Sequence, residues 1–322
     1  NCDLLIAIGT RLNVPIIGYK YERFAPLAKK VVVDIDKAEH SKKTIKIDEL
    51  IIADAKKFIL ELDKKIKNVN FFFKKDWVAK CQYLKKTYPV CLLTYSNIQG
   101  PMNLYFVIDR ISDNLTPRDI VVSDAGLAFY AVRQTLKIKQ GQRAIVCAAT
   151  GGMGFNLPAS IGASVASDNG RIVCITGDGS LQPSIYELQT IFHYKLPIKL
   201  FILNNKGYLS IRNTQNKFFE RRHFGASKKT GVSFPNLCKI TKAYGIQYVR
   251  ANNKDELLRL IPTVLTSPGP VICDVICLEN QEIIPAVSSK KLPNGNIVST
   301  EIDDMYPFLP KEEMEKIRKE LQ

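Results

Sequence analysis

Two stretches decide how this chain folds: Arg171-Ile172-Val173-Cys174-Ile175-Thr176-Gly177-Asp178-Gly179-Ser180 and Ile198-Lys199-Leu200-Phe201-Ile202-Leu203-Asn204-Asn205-Lys206-Gly207. Each starts as a short, nearly unbroken apolar run and ends in a turn rich in Gly, Asp or Asn. Apolar runs of strand length bounded by turn residues read as strands buried on both faces. That pattern belongs to parallel sheets covered by helices on both sides. Ser184–Phe192, which lies between the two runs, has helical spacing. The unit is therefore read as strand, helix, strand.

In a parallel sheet, neighbouring strands deliver their C-terminal turns to one edge, where ligands bind. Asp178 and Asn205 are expected to converge there. Gly177 and Gly179 let an anion approach the backbone, and the helix that follows points its first N–H groups at it. One carboxylate and one amide oxygen are hard ligands suited to Mg²⁺, which completes its shell with phosphate oxygens and water. The residues themselves point to a Mg²⁺-bridged diphosphate at a strand-end crevice. The plainer alternative is a pair of ordinary strand–helix turns that happen to carry Asp and Asn.

Outward from this core the alternation continues. Strands are expected at Asp119–Ser123, Arg143–Cys147, Gln247–Arg250 and Val271–Ile276. Helices are expected at Asn103–Ile111, Gly126–Leu136, Leu157–Ala166, Pro235–Ala243 and Lys254–Leu265. The fold class is α/β, a doubly wound parallel sheet. Ahead of it, Leu4–Ile8, Lys30–Asp34 and the helix Ala53–Leu62 read as the end of another α/β domain. The expected organisation is 1–63, a linker over 64–100, the main domain over 101–284, and a polar tail over 285–322. That tail carries a turn at Pro293-Asn294-Gly295-Asn296 and a charged helix Lys311–Leu321. The first residue is Asn1 and the chain enters a strand at once, so it is expected to be a piece of a longer protein.

Composition excludes several classes. The chain has 322 residues, 46% of them hydrophobic, enough to bury a sizeable core rather than stay disordered. No apolar run approaches the roughly 20 residues of a membrane helix, so no membrane partner is expected. The eight cysteines form no CxxC pair and sit mostly in apolar runs, which suits reduced thiols in a cytoplasmic protein. The net charge is +15, from 46 Lys+Arg against 31 Asp+Glu. With Lys64-Lys65-Ile66-Lys67, Phe71-Phe72-Phe73 and Lys74-Lys75, it raises a nucleic-acid reading. The lysines are spread over linker, helices and tail rather than along one stripe, so no nucleic-acid partner is expected.

The Gly177-Asp178-Gly179 to Asn204-Asn205 arrangement resembles the cofactor-binding motif of thiamine-diphosphate enzymes. Gly152-Met153-Gly154-Phe155-Asn156-Leu157-Pro158-Ala159 is similar to a segment of acetolactate synthase and its relatives, as is Leu181–Leu188 after the Asp. Asp3–Thr10, Phe24-Ala25-Pro26 and Val33-Asp34-Ile35-Asp36 look like the last part of that family's Rossmann-like central domain. The resemblance thus covers nearly the whole chain. It implies a thiamine-diphosphate-binding fold and Mg²⁺ held by Asp178, the Asn205 side chain and the Gly207 carbonyl. Gly177, Gly179 and Ser180 would bind diphosphate, joined by the backbone of Gly126, Leu127 and Ala128. The Gly151 carbonyl and the Met153 N–H would hold the aminopyrimidine, with the Met153 side chain under the bent cofactor and Asn205 beside the diphosphate.

The resemblance also implies an activity: decarboxylation of a pyruvate-like 2-oxo acid and transfer of the acyl carbanion to an acceptor, by a homodimer or homotetramer. In the family an activating glutamate comes from a separate N-terminal domain, usually of another subunit. No residue of this chain is assigned as catalytic, and Glu187 is not given that role. Some positions depart from the family. Leu127-Ala128 stand where acetolactate synthases usually carry Gln-His. Only Arg11 remains of a polar loop that binds FAD, so FAD is doubtful. The helix after the Asn pair reads Tyr208-Leu209-Ser210-Ile211-Arg212-Asn213-Thr214-Gln215 and has no Trp. Arg212 and Gln215 raise the alternative of a larger acceptor such as a keto-sugar. A simple 2-oxo-acid decarboxylase is the other alternative.

Overall fold

A computed structural model of the chain describes residues 2–70, 75–147, 150–291, 294 and 296–320. The Phe71–Phe73 cluster with Lys74, and Pro293 and Gly295 of the expected turn, lie outside the described residues. The chain divides into two compact units, one of residues 1–88 with 284–322, the other of residues 89–283.

In the first unit, β1 (Leu4–Ile8), β2 (Lys29–Asp34) and β3 (Glu49–Ile52) form a parallel sheet in the order β1-β2-β3. Its core is Ala7, Leu12, Ile17, Val32 and Ile45. The helix Ala55–Ile66 starts where the Asp54 carboxylate accepts the Lys57 N–H at 3.0 Å, an N-cap that satisfies a donor the helix cannot. β3 was not expected from sequence: four residues with no alternation leave no periodic signal, and pairing with β2 is what makes them a strand. Within residues 284–322 the expected charged helix is present, and a short ribbon that was not expected precedes it. Ser289–Lys291 pairs antiparallel with Ile297–Ser299, and the helix Lys311–Glu320 follows. Arg318 bridges Glu301 and Asp303, both at 2.8 Å. Strands of three residues are too short to show a hydrophobicity pattern.

The second unit is built on β4 (Ile120–Ser123), β5 (Arg143–Val146), β6 (Ile172–Gly177), β7 (Ile198–Asn204), β8 (Gln247–Ala251) and β9 (Val271–Ile276). They form one six-stranded sheet in the order β5-β4-β6-β7-β9-β8, with every neighbouring pair parallel. Helices cover both faces, as the doubly wound reading requires. Along β6, Val173 and Ile175 enter the core shared with the helices Leu104–Asp113, Gly126–Thr135 and Lys254–Thr266. Ile172 and Cys174 enter the opposite core, under Asn156–Ala166, Leu188–His193 and Leu237–Ala243. Each fully buried Ile, Leu, Val or Phe contributes about 1.5–3 kcal/mol, so two complete cores dominate the favourable side of folding. The expected continuous helix over Ser184–Phe192 is broken. A 3₁₀ turn, Gln182–Glu187, precedes the short α-helix Leu188–His193. Pro183 and the non-helical Ser184, whose buried Oγ donates to Asn156 Oδ1 at 3.3 Å, account for the break.

Order fixes where function can sit. From β4 the chain goes to β5 on one side and then returns to β6 on the other. The strand ends of β4 and β6 therefore flank a topological switch point, where α/β sheets bind ligands. The opposite edge is held by charge. Arg171 Nε and Nη2 donate to the two oxygens of Asp119 at 2.6 and 2.7 Å, which pins the start of β6 to the start of β4.

Lys199 lies on the same structural edge. It is 1% exposed, and its Nζ donates to the carbonyls of Ser267, at 2.6 Å, and Gly269. Burial, helped by the Arg171 charge, pushes its ammonium down to about 8 from 10.5. The folded chain thus holds this proton more weakly than the unfolded chain, so this group's contribution to stability rises as pH climbs from about 8 towards 10. Lys199→Met should remove about 2 kcal/mol of that rise between about pH 8 and 9.5. Urea unfolding at the two pH values checks this, and a variant whose midpoints shift as the wild type's do refutes it.

Candidate functional site

Four adjacent strands, β5, β4, β6 and β7, run side by side and end on one edge. Their loops carry Gly151 and Met153, Gly126–Ala128, Gly177–Ser180, and Asn205–Gly207, which include every residue assigned from sequence to the cofactor and the metal. Strand direction, not chain proximity, brings them to one edge.

Asp178 is the most constrained of them. It is 3% exposed; Oδ1 accepts the Gly179 N–H at 2.9 Å and Oδ2 accepts the Gly207 N–H at 3.1 Å. The second bond ties the β6 loop to the β7 loop. Burial pushes the carboxyl up to about 7, against the N–H donors of Gly179, Gly207 and Lys206 and the charge of Arg212. A carboxylate desolvated this far is stabilised by a cation placed against it. Among the described residues no three His, Cys, Asp or Glu side chains converge. A cation at Asp178 would therefore draw on amide and backbone oxygens, the donors that Asn205 and Gly207 supply.

Gly207 cannot be another residue without rearrangement. Its φ is +149°, and a Cβ would sit 2.2 Å from the Ala226 carbonyl oxygen. Asn205 is 6% exposed and is held by Arg212, whose Nη2 donates to the Asn205 carbonyl at 2.9 Å and to its Oδ1 at 3.3 Å. The same guanidinium donates to the carbonyls of Ala226, at 3.1 Å, and Glu279, at 2.7 Å. Arg212 was raised from sequence as an acceptor-facing residue. The structure instead buries it, 5% exposed, and spends its donors on the backbone around the β7 loop. Gln215 is committed in the same way, donating to the Phe224 carbonyl at 2.8 Å and accepting the Phe224 N–H at 3.2 Å. The fork of N–H groups that makes Arg fit a carboxylate equally fits several carbonyls at once, and burial decides between them.

The remaining residues line the same edge. Gly126 opens the helix Gly126–Thr135, whose N-cap Ala125 makes no side-chain cap bond, so the first-turn N–H groups are left for a ligand or solvent. Leu127 and Ala128 are buried. Ser210 Oγ lies buried with no hydrogen-bond partner, 3.4 Å from where a Gly126 Cβ would stand. Ser180 is 7% exposed. Gly151 is exposed, with its N–H bonded to the Cys147 carbonyl at 3.0 Å, and Met153 is 50% exposed. Gly179 carries the edge-on pair Tyr208 and Phe234 over it, with ring centroids 5.5 Å apart. An uncapped helix start, an unpaired hydroxyl and a desolvated carboxylate on one edge together suit a diphosphate bridged to a cation.

Comparison with known proteins agrees with this geometry. Residues 124–275 match the thiamine pyrophosphate enzyme C-terminal TPP-binding domain, and residues 1–62 match the thiamine pyrophosphate enzyme central domain. The chain is 33% identical over 295 residues to the acetolactate synthase large subunit of Cyanidium caldarium, covering 90% of this chain and 49% of the relative. It is 32% identical over 295 residues to acetolactate synthase 3, chloroplastic, of Brassica napus, covering 89% and 44%. To the acetolactate synthase isozyme 2 large subunit of Escherichia coli (strain K12) it is 29% identical over 286 residues, covering 89% and 50%. The chain belongs to the thiamine pyrophosphate enzymes, in the group like acetolactate synthase large subunits. It spans about half the length of the curated relatives it matches.

Gly207→Ala should displace the β7 loop from Asp178 and Ala226 and cost about 3 kcal/mol of stability, from positive-φ strain plus overpacking. Denaturant unfolding measures it; a loss within about 0.5 kcal/mol, the range of an ordinary surface change, contradicts the tight-loop argument.

Proposed function

We propose that this protein is a thiamine-diphosphate- and Mg²⁺-dependent carboligase of the acetolactate synthase type. It would decarboxylate a small 2-oxo acid such as pyruvate and pass the acyl carbanion to an acceptor. The observation that carries the reading is the pair of buried oxygen donors, Asp178 and Asn205, at the ends of the adjacent parallel strands β6 and β7. Asp178, the Asn205 side chain and the Gly207 carbonyl would hold Mg²⁺, in keeping with its preference for hard oxygens. Gly177, Gly179, Ser180 and the first turn at Gly126, Leu127 and Ala128 would bind the diphosphate. Gly151 and Met153 would hold the pyrimidine, and the half-exposed Met153 side chain is free to support the cofactor.

Thiamine diphosphate supplies, when bound, an electron sink for the negative charge left as a 2-oxo acid loses carbon dioxide. This chain's part is to bind and orient: Arg212 steadies Asn205, and the Gly207 N–H fixes Asp178. The 360 Å³ cavity in the first unit is lined by Arg11, Asp34, Asp36, Glu39 and Asp54 among others, a mostly acidic lining that gives an FAD diphosphate little support. Arg11 lies 3.9 Å from Glu39. A homodimer or homotetramer and a cytoplasmic setting complete the reading. The eight free thiols support a reducing compartment, and among the described residues no helix is long and apolar enough to cross a membrane.

Two measurements on the full-length gene product test the proposal. Pyruvate should give acetolactate; acetaldehyde as the sole product would instead support the simple decarboxylase. Asp178→Ala should weaken Mg²⁺-dependent thiamine diphosphate binding in calorimetry by about a hundredfold or more, the loss of a charged ligand at a buried site. Unchanged binding would remove Asp178 from the ligand set.

A further inference from the structure

A second buried carboxylate stands beside the site and has no role so far. Asp124 follows β4 and is 0% exposed. It accepts from Asn156 Nδ2 at 2.6 Å, from Thr176 Oγ1 at 3.1 Å, and from the backbone N–H groups of Ala125 and Gly154. Asn156 Nδ2 also donates to Thr176 Oγ1 at 2.8 Å and to the Ser180 carbonyl at 3.1 Å. Asn156 Oδ1 in turn accepts the Leu157 N–H at 2.6 Å and the Ser184 hydroxyl at 3.3 Å. Asn156 and Thr176 are both 0% exposed.

The members of this network lie in or directly beside three loops, with Thr176 near the end of β6 and Asn156 at the start of the helix Asn156–Ala166. Asp124 leads into Gly126–Ala128, Gly154 and Asn156 follow Gly151 and Met153, and Thr176 and Ser180 flank Asp178. A further contact draws the same loops together: Gly154 has φ +83°, and a Cβ there would meet Pro183 at 2.8 Å. Burying a carboxylate on amide, hydroxyl and backbone donors is costly compared with an apolar core of equal volume. A side chain kept for packing alone would not need partners drawn from beside three loops of the candidate site. Nor does this network lie deep in either apolar core; it sits between the ends of β4 and β6, at the switch point.

We propose that Asp124, acting with Asn156 and Thr176, is a positioning residue that sets the spacing between the pyrimidine-side loop, 151–156, and the diphosphate-side loops, 126–128 and 177–180. The assignment of the loops to the two ends of the cofactor rests on the function proposed above. The network does not touch the reacting atoms. It holds the loops within the few tenths of an ångström that a two-ended ligand demands. Inorganic pyrophosphate, which needs only the diphosphate side, is less sensitive to that spacing than thiamine diphosphate.

Thr176 is the place to test this, because removing Asp124 strands several buried donors at once. Thr176→Val keeps the branched shape and removes the hydroxyl; Thr176→Ser restores it. On the full chain, calorimetry with Mg²⁺ should show Thr176→Val losing about tenfold or more in thiamine diphosphate affinity and at most about threefold for inorganic pyrophosphate. Amide hydrogen exchange without ligand should rise together in 124–128, 150–157 and 177–184, and Thr176→Ser should recover both readouts. Equal losses for the two probes, or faster exchange confined to 177–184, would overturn the proposal. A wild-type chain that binds pyrophosphate but not thiamine diphosphate would count against the proposed function. The exchange readout would still decide whether the three loops are coupled.

Discussion

Every strand of the six-stranded sheet points the same way, and the rest of the second unit follows from that. Parallel strands need long crossovers, so helices fall on both faces and the strands must be apolar on both. Val173 and Cys174 are sequence neighbours that serve opposite cores for this reason. The same constraint separates two kinds of buried charge. At the edge where strands begin, Asp119 meets Arg171 and Lys199 meets carbonyls, and these groups are satisfied within the protein. At the edge where strands end, Asp124 and Asp178 are held by amide, hydroxyl and backbone donors.

The two carboxylates differ in what surrounds them. Asp124 is bonded on both oxygens to side chains, Thr176 near the end of β6 and Asn156 at a helix start, a closed arrangement that resists movement. Asp178 is bonded only to backbone N–H groups on its own and the next loop, with Asn205 close by on Arg212. The first arrangement suits holding loops in place, and the second suits accepting a cation. Arg212 clamps the carbonyls of Asn205, Ala226 and Glu279 and so ties the β7 loop to neighbouring backbone.

Much of this was legible in the sequence, and the limits have physical causes. The strands of the main sheet announce themselves because burial on both faces demands continuous apolar residues, as in Ile198–Leu203. Glu49–Ile52 and the ribbon around residues 289–299 do not, because strands of three or four residues are too short for a pattern to stand out and each exists through its partner strand. The break at Ser184 needed the position of Asn156, which lies 28 residues away. Arg212 looked like a substrate-facing cation because sequence carries residue type but not solvent exposure. The charge of +15 is an excess of 46 Lys+Arg over 31 Asp+Glu, and several of the lysines are paired locally, such as Lys64 with Glu61 at 2.7 Å and Lys67 with Asp63 at 3.6 Å. Such exposed pairs contribute little to stability.

By itself, the sequence determined the fold class, the alternation of strand and helix, and the places of Asp178 and Asn205 at the ends of two strands. Each of these is written in local pattern and residue type, which tertiary contacts do not alter. Tertiary structure alone decided the strand order, and with it the switch point between β4 and β6. It also decided that Asp124, Asn156 and Thr176 meet, and that Arg212 turns inward to the backbone. Those outcomes depend on which distant loops are brought within hydrogen-bond reach and shut off from water, and no local stretch of the chain encodes that on its own.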